Sequence, residues 1–124
     1  MLSQSKLQTI ICTTNLPAAE SFYRDVLGLE LSHKSDGALV FNVGGSDLRV
    51  SPVPSTTPSE HTMLGFAVSD VNSTIGLLAD KGVDFETFEG FSHDANGALD
   101  TPHGSRVAWF RDPDGNLLSV VQFS

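Results

Sequence analysis

One order of structural signals occurs twice along this chain at a nearly fixed offset, and that repetition limits the fold more than any single motif does. Residues 7–13 (LQTIICT) are rich in β-branched side chains and read as a strand. Asn15 then has the chemistry of a helix N-cap, Pro17 suits the first turn, and Gly28 suits the stop. Between them Ala19, Phe22, Tyr23, Val26 and Leu27 recur at helical spacing and form one apolar face. Strand signals follow around 29–33, 38–43 and 48–51, punctuated by turns at Asp36-Gly37 and Gly44-Gly45. The same order returns with a strand over 62–69 (TMLGFAVS), a cap at Asp70, an inner helix face of Val71, Ile75 and Leu78, and a stop at Gly82. Strands are then expected over 83–88, 105–111 and 117–122. Asn15 to Asp70 is an offset of 55 and Gly28 to Gly82 one of 54, so the two registers agree to within one residue. The expectation is an α+β domain spanning 1–124, built from two tandem βαβββ modules of about 7–51 and 62–124 whose curled mixed sheets enclose a cleft. The Pro-, Ser- and Thr-rich stretch over 52–61 reads as the linker.

Length and charge narrow the functional classes. At 124 residues the chain can bury a real core. No apolar run approaches the roughly 18–20 residues that a membrane span needs. Met1 to Lys6 is polar and is followed by no signal-peptide core, and the lone Cys12 can form no internal disulfide. Together these suggest a cytoplasmic protein. The net charge of −8 is concentrated in the second half: residues 56–124 hold three Lys/Arg against ten Asp/Glu, whereas residues 1–55 hold four against five. With no basic stripe to neutralise phosphates, nucleic acid and anionic membranes are disfavoured as partners, and a cationic partner is mildly favoured.

Few local motifs carry chemistry. Asp112-Pro113-Asp114-Gly115 has the composition of a type I turn with a glycine bulge joining the last two strands, so its acids read as turn residues. There is no Gly-rich phosphate loop, no G-x-S-x-G elbow, no Cys/His metal spacing and no dinucleotide fingerprint. Cys12 has no identifiable neighbouring base and reads as an inert thiol.

The two helix starts, SFYRDVLGLEL at 21–31 and WFRDPDGNLLSVVQ at 109–122, taken in this order and at paired spacing, resemble the vicinal oxygen chelate superfamily. That group includes glyoxalase I, extradiol dioxygenases, fosfomycin resistance proteins and bleomycin resistance proteins. The resemblance implies the fold over nearly the whole chain but not one function, because lyases, epimerases, dioxygenases and plain binders share the scaffold. Metal-dependent members place His, Glu or Gln near the start of each module's first strand and on each module's last strand. The resemblance puts those positions at Gln8, Met63, Ser119 and one of Arg49, Val50 or Ser51. Of these only Gln8 is a plausible donor, and one amide oxygen cannot hold a divalent ion, so no metal or other cofactor is expected. His61, two residues before Met63, is the one group that a shifted register would bring toward such a site; His93 and His103 fall in a Gly/Asp-rich stretch where exposure is the default.

Strand alternation sorts the faces. Leu64, Phe66, Val68, Ala108 and Phe110 are expected to pack inward. Met63, Gly65, Ala67, Val107, Trp109 and Arg111 are expected on the cleft side, with Gln8, Ile10 and Cys12 from the first strand and Leu117, Ser119 and Val121 from the last. The candidate ligand-binding residues are therefore Gln8, Met63, Trp109, Arg111 and Ser119. A mostly apolar wall with one indole and a few polar groups suits an aromatic or planar small molecule. The leading expectation is a metal-independent binder of the bleomycin-resistance type that works by sequestration of an aromatic or cationic compound. The alternatives are a metal-dependent lyase or dioxygenase, and a degenerate domain serving assembly. The resemblance also implies a homodimer.

Overall fold

Thr13 and Asn15 convert a strand into a helix with side-chain oxygens. The Thr13 hydroxyl donates to the Asn15 carbonyl (3.2 Å) and accepts from the Asn15 N–H (3.1 Å). Asn15 Oδ1 in turn accepts from Ala18 N–H at 3.1 Å, filling one of the unsatisfied donors of the first turn. In the computed structural model, which describes residues 1–124, this junction links strand β1 (Gln8–Thr13) to helix α1 (Leu16–Glu20). The helix continues as a widened π-type turn, Ser21–Val26, closed by Leu27 N–H on Phe22 O (2.9 Å) and by Gly28 at φ 72°. Strands β2 (Glu30–Ser35), β3 (Ala38–Val43) and β4 (Ser46–Pro52) complete the module, in the sheet order β1-β4-β3-β2 with β1 and β4 parallel.

The second half repeats the plan. Strand β5 (Leu64–Ala67) leads to helix α2 (Val71–Asp80), whose cap Asp70 accepts from Ser73 N–H at 3.1 Å. The Gln122 side chain adds a second cap by accepting from Val71 N–H at 3.0 Å. Strands β6 (Phe85–Glu86), β7 (Leu99–Asp100), β8 (Arg106–Arg111) and β9 (Leu117–Gln122) follow. The sheet order is β5-β9-β8-β6, with β7 also on β8. The chain divides into two compact units, Met1–Thr57 and Pro58–Ser124.

Each sheet buries its helix-side face, and β3 and β9 are buried on both faces, with Val40, Leu117 and Ser119 covered as well. In the first unit Ile11, Leu39, Phe41, Leu48 and Val50 are buried along with Ala19 and Tyr23 of the helical segment, and the Tyr23 and Phe41 rings lie 6.0 Å apart. In the second, Ala108, Phe110, Leu118 and Val120 are buried together with Val71, Ile75 and Leu78 of α2. On the helix side this burial follows the hydrophobic periodicity of the sequence.

Three details depart from the expected elements. The strand expected over 83–88 is only Phe85–Glu86, because Val83 N–H bonds back to Leu78 O (3.0 Å) and Gly82 N–H to Ala79 O (3.0 Å). That double closure is a Schellman arrangement, and it holds Val83 at the helix end rather than in a ladder. Residues 87–98 leave the sheet and return as the short β7, for which the sequence offers no strand signal. Strand β4 runs on through Pro52, so the first residue of the expected linker is still paired, opposite Thr13.

Candidate functional site

The face of the second sheet turned away from α2 is assembled by register. Gly65 pairs with Ser119, Ser119 with Trp109, and Trp109 with Glu86, so these four residues form one row across β5, β9, β8 and β6. Directly paired residues share a face of a sheet. Arg111 and Leu117 pair in the adjacent row, and Met63 lies just before β5, its N–H bonded to Leu117 O at 2.8 Å. Trp109, Arg111, Ser119 and Met63 are thus brought together on one side of one module. Alternation places them there because the intervening Ala108, Phe110, Leu118 and Val120 are committed to the helix side.

Trp109 anchors this face. Its ring is partly exposed, and Nε1–H donates to Thr62 Oγ1 at 3.1 Å. Two rings brought in by residues 87–98 stand edge-on to it: Phe88 at 5.3 Å and His93 at 6.0 Å between centroids. Phe88 and His93 are themselves 6.0 Å apart. An aromatic corner of this kind presents π faces and positive ring edges at right angles, a geometry that receives another planar ring. Met63 is 47% exposed, and its thioether adds a polarizable apolar surface on the same side.

His93 is held by both nitrogens. Nε2 lies 3.1 Å from Phe88 N, which can only donate, so Nε2 accepts and the ring proton sits on Nδ1, 2.7 Å from Gly97 O. With both nitrogens committed to backbone, His93 shapes the corner and has no lone pair left for a substrate or a metal. The same segment is fastened by Asp94, whose Oδ1 accepts from Asn96 N–H (2.9 Å) and Ala98 N–H (3.0 Å) and whose Oδ2 pairs with Arg106. Partial desolvation opposes ionisation of Asp94, but the Asn96 and Ala98 amides and the Arg106 guanidinium outweigh it and hold the carboxyl below its ordinary range. Arg106 also reaches Asp100 (2.9 Å) and Asn72 on α2 (3.0 Å).

Arg111 is the only Lys or Arg on the open face, and it is engaged. Nε donates to Glu86 Oε1 at 2.8 Å and Nη1 to Gly115 O at 2.9 Å. Ser119 is buried at the floor of the face, its Oγ 3.0 Å from where a Cβ on Gly65 would stand. Asp112 is a turn residue, as its pattern suggests. Oδ1 accepts from Asp114 and Asn116 N–H (3.0 and 2.9 Å), Oδ2 accepts from the Asn116 side chain, and Gly115 takes φ 88°.

The other expected residues are not part of this row of the second sheet. Gln8 is exposed on β1 of the first module, paired with Asp47, and shares no sheet with Trp109. Arg49 is tied to Ser35 through its carbonyl (3.0 Å) and hydroxyl (3.2 Å). His61 and His103 are exposed. A divalent ion of the kind used by metal-dependent relatives does not suit these positions: Met63 offers a thioether, Ser119 a neutral hydroxyl, and Arg49 a committed cation. No group of three or more His, Cys, Asp or Glu side chains is gathered closely enough to hold a metal.

Glu86, Phe88, His93 and Thr62 complete the face without having been marked by the sequence. Alternation over 83–88 does put Glu86 and Phe88 on one side, but the register that sets them against Trp109 is not written in any local pattern. His93 sits among glycines and aspartates that signal only a loop.

Residues 7–120 match the family model for the Glyoxalase/Bleomycin resistance protein/Dioxygenase superfamily. The chain belongs to that superfamily. Solved structures of glyoxalase-type proteins superpose over almost the full length. TnmS3, an antibiotic binding protein from Streptomyces sp. CB03234, aligns with a TM-score of 0.78 and 23% identity, covering 100% of this chain and 99% of its own. A glyoxalase family protein from Bacillus anthracis aligns at 0.77 and 16% identity, covering 98% and 96%. Lactoylglutathione lyase from Agrobacterium tumefaciens aligns at 0.72 and 24%, covering 96% and 93%. At these identities the glyoxalase-superfamily likeness speaks for the fold. No curated protein matches the sequence. No helix is long and apolar enough to cross a membrane.

Proposed function

We propose that this glyoxalase-superfamily chain is a metal-independent binding protein that sequesters a planar aromatic small molecule on the open face of its second module. The observation that carries the reading is the aromatic corner of Trp109, Phe88 and His93, with Met63 and Ser119 on the same side and both His93 nitrogens already used. A fixed, partly exposed ring set whose one imidazole has both nitrogens bonded to backbone is suited to holding a ligand rather than transforming it. The antibiotic-binding neighbour of the same fold lends the reading an analogy. A homodimeric, cytoplasmic protein is part of the same proposal.

The test is direct because Trp109 is the only tryptophan. Planar aromatic compounds are expected to quench or shift its emission, and Trp109→Ala to weaken their binding, measured by calorimetry, by about 1–3 kcal/mol, the range of an aromatic anchor. Binding and melting temperature are expected to be unchanged by chelator. Emission indifferent to every planar compound tried, or binding that disappears with the chelator, overturns the proposal.

A further inference from the structure

Glu86 is directly opposite Trp109 in the β6–β8 ladder, and its Oε1 accepts from Arg111 Nε at 2.8 Å. The remaining oxygen, Oε2, makes no hydrogen bond or ion pair. Arg111 is the one Lys or Arg on this face, and its Nη1 is occupied as well, by Gly115 O. Both side chains of the pair are about one-third exposed, 37% for Arg111 and 36% for Glu86, so the pair is accessible from solvent, with Glu86 in the same row as Trp109.

We infer that Glu86 sets the charge selectivity of this site: it neutralises Arg111 and presents its second carboxylate oxygen beside Trp109, so that the ligand is a planar aromatic that is neutral or carries a basic nitrogen, and aromatic acids are rejected. The inference rests on the aromatic-binding reading given above. Its physical basis is local. An anionic ligand approaching Arg111 must displace a carboxylate already bonded to it and then face that carboxylate as a like charge. A cationic ligand gains both the indole face and the free oxygen of Glu86, the two groups that attract an ammonium most strongly.

Three probes of one shape separate the possibilities: naphthylmethylammonium, naphthylmethanol and naphthoate, titrated by calorimetry at neutral pH. The native protein is expected to bind the alcohol, to bind the ammonium more tightly, and to bind naphthoate weakest. Glu86→Gln is expected to free Arg111, tightening naphthoate and weakening the ammonium each by about tenfold, the scale of one charge-assisted hydrogen bond. Arg111→Gln, which leaves Glu86 unpaired, is expected to tighten the ammonium and leave naphthoate excluded; it carries the test alone if Glu86→Gln does not fold. The inference is overturned if the alcohol binds and naphthoate binds the native protein as tightly as the ammonium, if folded Glu86→Gln leaves the affinities of both charged probes unchanged, or if folded Arg111→Gln fails to tighten the ammonium. Failure of the native protein to bind even the alcohol removes the aromatic-binding reading itself, a result distinct from a wrong assignment of Glu86.

Discussion

With Nε2 accepting from Phe88 and Nδ1–H donating to Gly97, His93 joins two points of the same loop. Nitrogen chemical shifts are expected to show Nδ1 protonated and Nε2 bare; the opposite tautomer would mean that the Phe88 contact is not a hydrogen bond. Asp94, the next residue, gives the loop its pH dependence. Its folded pKa lies below the ordinary 3.8. The stability it contributes is therefore fully present above that value and is lost as pH falls through the lower folded one. Asp94→Asn is expected to flatten that part of the acid limb when melting temperature is followed against pH, and an unchanged limb would show that Asp94 is not an anchor. The guanidinium contact is partly exposed, so the effect is modest. These residues also mark how far the sequence could be read. The common face of Trp109, Ser119, Met63 and Arg111 was legible because alternation along a strand is a local rule. The partners of Trp109 come from positions that only tertiary register brings near it.

The connection between β6 and β7 depends on one glycine as much as on its hydrogen bonds. Gly97 is buried at φ 95°, and a Cβ there would stand 2.9 Å from the Cβ of Phe85. Gly97→Ala thus meets both a backbone conformation that L side chains avoid and a side-chain carbon that cannot swing away. It is expected to cost more than about 1 kcal/mol in chemical denaturation and to loosen His93 from Trp109. A neutral substitution would show that the loop relaxes freely. The helices tell the opposite story, since their capping chemistry is compact in sequence. Asn15, Asp70 and the two stopping glycines announced both starts and ends. The π-type turn over Ser21–Val26 was not foreseeable, because its apolar spacing is also that of an ordinary helix.

At the scale of the molecule, the doubled signal order was enough to predict two α+β modules, since each capped helix was matched to a sheet with one apolar face. It could not predict the contents of residues 87–98, where β6 is short and no periodicity exists to be read. Each sheet also ends in open edge strands, β1 and β2 in the first and β5 in the second, which favour pairing with a second copy. Sedimentation at micromolar concentration is expected to give a dimer, and a monomer throughout that range would count against the homodimer. The brief stay of β6 in its ladder has a further consequence for how such a protein changes over generations. Phe88 and His93 are carried by backbone outside the strand pairing, so replacing them leaves the register of Arg106 to Gln122 intact. Under selection for a new ligand, accepted substitutions and length changes should gather between Thr87 and Ala98, while β8 and β9 stay nearly fixed; the scaffold and its specificity are then free to evolve at different rates.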